Sequence, residues 1–360
     1  MDNATGTRRG FLRAAGMAGI AGWAGLRAGG QGPVPAVRAA RPRQKIILDV
    51  DTGTDDAVAL MFGALHPDLE LVGATTVNGN VGIEFTTENT LRVFDHIGVK
   101  VPVYRGMGSP IVRSDFPTPR SGGSAFHGQH LDLPAARSRA SDTDAVDFLI
   151  QTYSRPEARE IILVPVGPLS NVAMALKRAP RILENLTEIV LMGGAHDMGN
   201  VTASAEFNVW ADPEAAQVVF RSGVAKLTMV PLDATHKAQV SREDSARLRA
   251  LGTPAGTAAA TFIDRRIQGY MEYDRQARAA APVHDALAVA SIVNPAVIST
   301  VEANVDVETE GPLTVGRTVL DRRTRSNAKP NARVALGADE PLFVRMLLET
   351  LGRTAPAAGA

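Results

Sequence analysis

The sequence predicts an α/β protein: a single domain with an open, Rossmann-like, mainly parallel central sheet and helices on both faces. Three observations predict it. Short apolar runs alternate with stretches of helical spacing along most of the chain, the pattern of a parallel sheet covered on both sides. No repeat and no linker interrupts residues 41–352. Polar residues gather directly after several of the strand-like runs, and ligands of open α/β sheets bind just beyond the carboxyl ends of strands.

The elements follow in order. Ile46, Ile47 and Leu48 read as a short buried strand. Thr52, Gly53 and Thr54 make a tight turn, and Asp55 and Asp56 begin a helix that runs to Phe62. A strand over 69–77, a helix over 83–97 and a short strand over 101–104 come next. Residues 106–134 are rich in Gly, Ser and Pro and have no clear period; a loop of that length inside a compact domain points to function or mobility. It carries Phe126, His127, Gln129 and His130, a candidate lid. Helices are expected over 144–153, 169–178, 212–221, 241–251, 257–275, 284–293 and 340–351. Strands are expected over 160–166, 188–192, 226–230, 301–308, 315–320 and 332–336.

Composition narrows the function. Of 360 residues, 45% are hydrophobic, enough for a sizeable core. Lys plus Arg and Asp plus Glu are both 38 and aromatic content is 5%, so there is no basic field for nucleic acid. With no cysteine, disulfides and thiol chemistry are excluded. The first residues stand apart. Arg8-Arg9-Gly10-Phe11-Leu12, followed by a weakly apolar Ala/Gly-rich stretch to Leu26, looks like a twin-arginine export signal. The apolar run is too short and Gly-rich to span a membrane, so no membrane insertion is expected. Residues 1–40 are read as export signal and linker, 41–352 as the one folded domain and 353–360 as a disordered tail, and the protein as periplasmic or secreted. A disordered basic leader is the simpler alternative.

Four aspartates lie within eight residues, at 49, 51, 55 and 56. Asp49 and Asp51 share one side of the strand's end because side chains alternate; Asp55 and Asp56 open the helix. Two carboxylates about 4 Å apart repel by roughly 4 kcal/mol at an effective dielectric of about 20. A helix N-terminus offsets only about 0.3–1 kcal/mol per anion. A cation, or protonation of one or two carboxyls, must supply the rest; helix capping would account for one or two of the four. An all-oxygen donor set favours Ca²⁺ or Mg²⁺ over zinc or copper.

Three further segments should share that edge. After the strand at 160–166, Pro165 and Gly167 free the Val166 carbonyl to point outward, although a plain turn capped by Ser170 explains the same residues. Asn200, Glu206 and Asn208 are polar groups in an apolar stretch, suited to gripping paired hydroxyls. Asp212 and Glu214 start a helix and read as structural. His284 and Asp285 open another helix, as a cap and surface His or as proton donor and metal carboxylate side by side.

Taken together, these segments resemble the inosine-uridine preferring nucleoside hydrolases. The opening Asp49-to-Asp56 motif, Gly167-Pro168-Leu169-Ser170-Asn171, Met192-Gly193-Gly194, Glu206-Phe207-Asn208 with Asp212-Pro213-Glu214, and His284-Asp285-Ala286 occur in order over residues 45–350, and the stretch from Gly311 to Gly316 also fits. The resemblance implies a nucleoside hydrolase-like fold and hydrolysis of ribonucleosides to ribose and base. It implies Ca²⁺ held by Asp51, Asp56, the Val166 carbonyl and Asp285, with Asp51 also taking a proton from the metal-bound water. Asp55, Asn80, Asn200, Glu206 and Asn208 match substrate-binding positions around the ribose. His284 matches the residue that contacts the leaving base, and Asp49 one that supports the loop from behind. A homodimer or homotetramer is expected. Departures fall on the base side: Thr52 stands where Pro is usual, His127 is followed by Gln129 and His130 rather than an acidic residue, and Tyr270 and Tyr273 are base-side candidates without a fixed register. Two rival readings remain, a haloacid-dehalogenase-type phosphatase and an exported non-catalytic nucleoside- or sugar-binding protein.

Overall fold

Six strands, β1 (Gln44–Val50), β2 (Leu69–Thr76), β3 (Val103–Arg105), β4 (Ile161–Pro165), β5 (Glu188–Met192) and β6 (Lys226–Val230), form a parallel ladder in the order β3-β2-β1-β4-β5-β6. The structure, a computed structural model, describes residues 42–114, 126–273, 278–323 and 325–355, with the side chain of Tyr273 excepted. The expected export signal and linker, and the tail from 356 onward, lie outside the described residues. Residues from Pro42 onward make one compact unit.

β7 (Gln239–Ser241) and β8 (Ala280–Pro282) pair antiparallel in a separate two-stranded sheet. β9 (Ile298–Val307), β10 (Thr318–Asp321) and β11 (Ala332–Ala338) extend the main sheet: β11 joins β6 in parallel, then β9 and β10 add antiparallel at the edge. The helices are α1 (Thr54–Leu65), α2 (Ile83–Ile97), α3 (Ala145–Tyr153), α4 (Ser170–Arg178), α5 (Phe207–Ala211), α6 (Pro213–Phe220), α7 (Leu232–Thr235), α8 (Arg242–Ala250), α9 (Pro254–Tyr273), α10 (His284–Val293) and α11 (Glu340–Leu351). None of the described helices is long and apolar enough to cross a membrane.

Alternation along β1 divides the core into two layers. Ile46, Leu48 and Val50 pack with α1, α2, α9, α10 and α11; Ile47 packs with α3, α4 and α6. Both faces are therefore buried, as expected. β1 lies between β2 and β4, so the chain leaves it in opposite directions across the sheet. That is the topological switch point of a doubly wound sheet, where a crevice opens beyond the strand ends.

The structure adds short elements that the sequence pattern does not mark: α5, α7 and the β7–β8 pair. It also shifts strand bounds: β3 begins at Val103 rather than Val101, and β9 at Ile298 rather than Val301. β10 begins at Thr318 rather than Val315, because Val315 N–H bonds back to Gly311 O and Gly316 turns at φ +81°, in the left-handed region glycine favours. The described ends of the 106–134 segment are fixed. Ile111 N–H reaches Asp212 at 2.9 Å, Arg113 pairs with Glu214 at 2.9 Å, and Leu131 N–H reaches Asn89 Oδ1 at 3.0 Å.

Candidate active site

Beyond β1 the chain turns sharply and closes on itself. Asp56 accepts the N–H groups of Asp51 at 3.1 Å and Gly53 at 2.9 Å, and the Asn80 amide at 3.2 Å. Asp51 accepts the Asn80 N–H at 2.7 Å. Its carboxylate lies so close to two loop glycines that a Cβ on Gly79 or Gly167 would come within 2.1 Å or 2.8 Å of it. Asn80 is thus drawn to the carboxylates themselves. The turn does not use Gly53 for its backbone freedom: φ is −105°, open to any residue. A Cβ there would sit 2.1 Å from His127 Nδ1, so the glycine makes room for that ring, which accepts the Thr54 N–H at 3.1 Å.

Asp55 meets α9. Its Oδ1 lies 2.8 Å from Arg266 Nη1 and 3.9 Å from His127 Nδ1, without the angle of a hydrogen bond. Asp285 opens α10. One carboxylate oxygen from each of Asp55, Asp56 and Asp285 falls within 4.8 Å of the others. All four carboxylates around the turn are buried. Burial, then Asp56, pushes the Asp51 carboxyl well above its usual range; burial, then Asp55, does the same to Asp285 and lifts Asp56 to about 7. Asp49 stands behind, on Thr75 Oγ1 at 2.6 Å and Asn171 Nδ2 at 2.7 Å, with burial raising it to about 6. Arg266 answers part of this negative charge at Asp55, and the remainder, presented by oxygen alone, fits a hard divalent cation.

Val166, next after β4, is fixed by its N–H to Asp49 O at 2.8 Å, and its carbonyl accepts the Asn208 amide at 2.7 Å. A carbonyl oxygen has two lone pairs, so one remains for another partner. Glu206 caps α5, accepting the N–H groups of Gly194 at 2.8 Å, Asn208 at 2.9 Å and Val209 at 3.3 Å; burial lifts it to about 7. Asn200 is exposed, and its Oδ1 holds the Phe207 N–H at 3.0 Å.

On the other side, His284 is buried between Thr235 Oγ1 at 2.7 Å and the Tyr270 hydroxyl at 3.1 Å. Burial, then Arg266, holds it well below its usual pKa, so it is neutral at pH 7. Tyr270 packs on Phe126 with ring centres 5.0 Å apart, which brings Phe126, His127 and Tyr270 to the same wall. The side chain of Tyr273 lies outside the described residues. Arg266 and Thr235 belong to the site and were not singled out from the sequence, where Thr54 and Asn171 figured only as members of a turn and a motif. A signal for Arg266 exists: Phe262, Arg266 and Tyr270 recur every four residues on one helix face, and Phe262 is core.

Comparison with known proteins identifies the family. The model of the family described as inosine-uridine preferring nucleoside hydrolase matches residues 46–345. The pyrimidine-specific ribonucleoside hydrolase RihB of Escherichia coli (strain SE11) is 40% identical over 301 residues, 84% of this chain and 95% of that protein. Among solved structures, a purine-preferring ribonucleoside hydrolase from Gardnerella vaginalis superposes with a TM-score of 0.79 at 35% identity, covering 86% of this chain and 98% of that one. A plant nucleoside hydrolase, PpNRh1, gives 0.78 at 28% identity, covering 88% and 100%. Neither the phosphatase nor the non-catalytic binding protein is favoured by any of these. The family's match runs from the first buried strand to the last helix, and with it the chain belongs to the inosine-uridine preferring nucleoside hydrolases, enzymes that hydrolyse N-glycosyl compounds.

Proposed function

We propose that the protein hydrolyses ribonucleosides to ribose and free base with Asp51 as the general base and Ca²⁺ as the cation. One observation carries the reading: carboxylate oxygens of Asp55, Asp56 and Asp285 converge within 4.8 Å, next to an Asp51 fixed by Asn80. Asp51, Asp56, Asp285 and the Val166 carbonyl would hold Ca²⁺, which when bound acidifies water and steadies sugar hydroxyls. Asp51 accepts the proton of the attacking water. Asp55, Glu206 and Asn208 grip the ribose, with Asn200 and Asn80 at the margin. The two carboxylates put negative charge beside the oxocarbenium-like centre that forms as the bond breaks. His284, with Tyr270, meets the leaving base. Relatives named for pyrimidine and for purine substrates both match, so the reading covers ribonucleosides without a preferred base.

The test is ribose release from purine and pyrimidine ribonucleosides, with Ca²⁺ and after chelation. Release that depends on Ca²⁺ is expected. Nucleoside binding without ribose from any substrate overturns hydrolysis, and full activity after exhaustive chelation overturns the cation's part. We further propose export through the twin-arginine pathway, supported by Arg8-Arg9 ahead of Phe11-Leu12. Replacing both (Arg8→Lys, Arg9→Lys) should retain the protein in the cytoplasm; unchanged export rejects it.

A further inference from the structure

Arg266 is 2% exposed, an unusual place for a guanidinium. Three elements hold it. It rises from α9, its Nε donates to Pro282 O of β8 at 2.9 Å, and its Nη1 lies 3.3 Å from Thr54 Oγ1 and 2.8 Å from Asp55 Oδ1 at the start of α1. A planar fork fixed on so many sides fixes in turn the anion it faces.

That anion needs fixing. By distance alone, Asp55 is as good a cation ligand as Asp56 and Asp285, since all three offer oxygens within 4.8 Å of one another. Asp56 is tied down by three donors, whereas Asp55 Oδ1 finds no hydrogen-bond donor and is restrained by its ion pairing. The proposed function, on which this role for Arg266 rests, gives Asp55 to the sugar. A bare carboxylate beside a divalent ion would turn to it.

We propose that Arg266 is a positioning residue that holds Asp55 off the cation and so keeps this carboxylate for the sugar hydroxyls. Without the guanidinium, Asp55 joins the cation's ligands: the cation binds more tightly and the nucleoside less tightly. An arginine that merely supports the fold would weaken both. Charge acting through space would change cation affinity in the same way whether or not Asp55 is present.

The experiment is a double-mutant cycle on the full chain: wild type, Arg266→Gln, Asp55→Asn and the double variant. Ca²⁺ affinity is read by calorimetry after chelator stripping, and KM and kcat on inosine and uridine. Asp55→Asn should change Ca²⁺ affinity by less than about 3-fold in the wild type but by about 10-fold or more in the Arg266→Gln background. KM should rise more than kcat falls in Arg266→Gln, and Arg266→Lys should return both toward wild type. Equal effects of Asp55→Asn in the two backgrounds, or weaker Ca²⁺ binding by Arg266→Gln, overturn the proposal. Thermal melting checks that each variant is folded; Arg266→Met, which keeps the apolar stem, runs the same cycle should the Gln variant not fold. If the wild type binds no Ca²⁺, the proposed function falls with it, whereas additive effects with Ca²⁺ binding intact overturn the role of Arg266 alone.

Discussion

At the residue scale, the turn between Asp51 and Asp56 is where single atoms decide the outcome. Asp51→Ala removes the proposed proton acceptor; hydrolysis should fall by at least about 100-fold in steady-state assays, the usual span of general-base losses. Gly53→Ala puts a methyl where the His127 ring now lies. It should destabilise the fold by about 1–3 kcal/mol, as overpacking does, and a denaturant titration superposable on wild type would refute the packing. His284→Ala should harm purine nucleosides more than aryl ribosides with good leaving groups; equal losses on both contradict a leaving-group role. Much of this was legible in the sequence, because carboxylates packed around a strand end announce themselves. Arg266 was not, because an arginine in a helix is ordinarily solvated and only the fold reveals that its face is covered. The Asn80 side chain was legible as polar and near the site, but its partners proved to be Asp56 and the Asp51 backbone.

At the scale of elements, Asp212 ties three together. It is fully buried and accepts the Ser170 hydroxyl at 2.6 Å, the Ile111 N–H at 2.9 Å and the Ala215 N–H at 3.1 Å. Asp212→Ala removes a helix cap and strands buried donors, so unfolding in urea should show a loss of about 2–4 kcal/mol. A change under about 0.5 kcal/mol, the range of ordinary surface substitutions, would show that the junction is dispensable. Elements that fill several turns or a whole apolar run were readable to the residue: α2, β5, β6, α10 and α11 match the expected ranges. α5 and α7 have five and four residues, too few for a helical period to register. α5 is held by its local Glu206 cap, itself fixed by the Gly194 N–H, and α7 by the longer-range Leu232 N–H to Gly194 O bond.

At the scale of the molecule, buried acids link stability to pH. Asp49, Asp56 and Glu206 move from ordinary values of 3.8, 3.8 and 4.5 to about 6, about 7 and about 7. Buried His127, lowered from 6.5 to about 4, and His236 and His284, also lowered by burial, bind fewer protons in the folded chain and oppose the effect of the acids below their ordinary value. Above it the raised acids act alone: the folded, cation-free chain binds more protons than the unfolded one, and the sign of linkage makes stability fall as pH rises. Melting of the chelated protein should drop between about pH 6.5 and pH 8, and added Ca²⁺ should raise the melting temperature more at the upper end of that range than at the lower. A chelated protein that melts higher at pH 8 contradicts the arrangement.

The crevice at the switch point is furnished from both ends of the chain. Asp51 and Asp56 come from its first strand and helix, Val166 from the middle, Glu206 and Asn208 later, and His284 and Asp285 from α10. These contacts span more than half the sequence, so they form only once the parallel strands β1 to β6 and α10 have come together. A nascent chain is silent until α10 has been synthesised and docked. In denaturant, catalysis should vanish at the same midpoint as the sheet, leaving no partly folded species that still turns over.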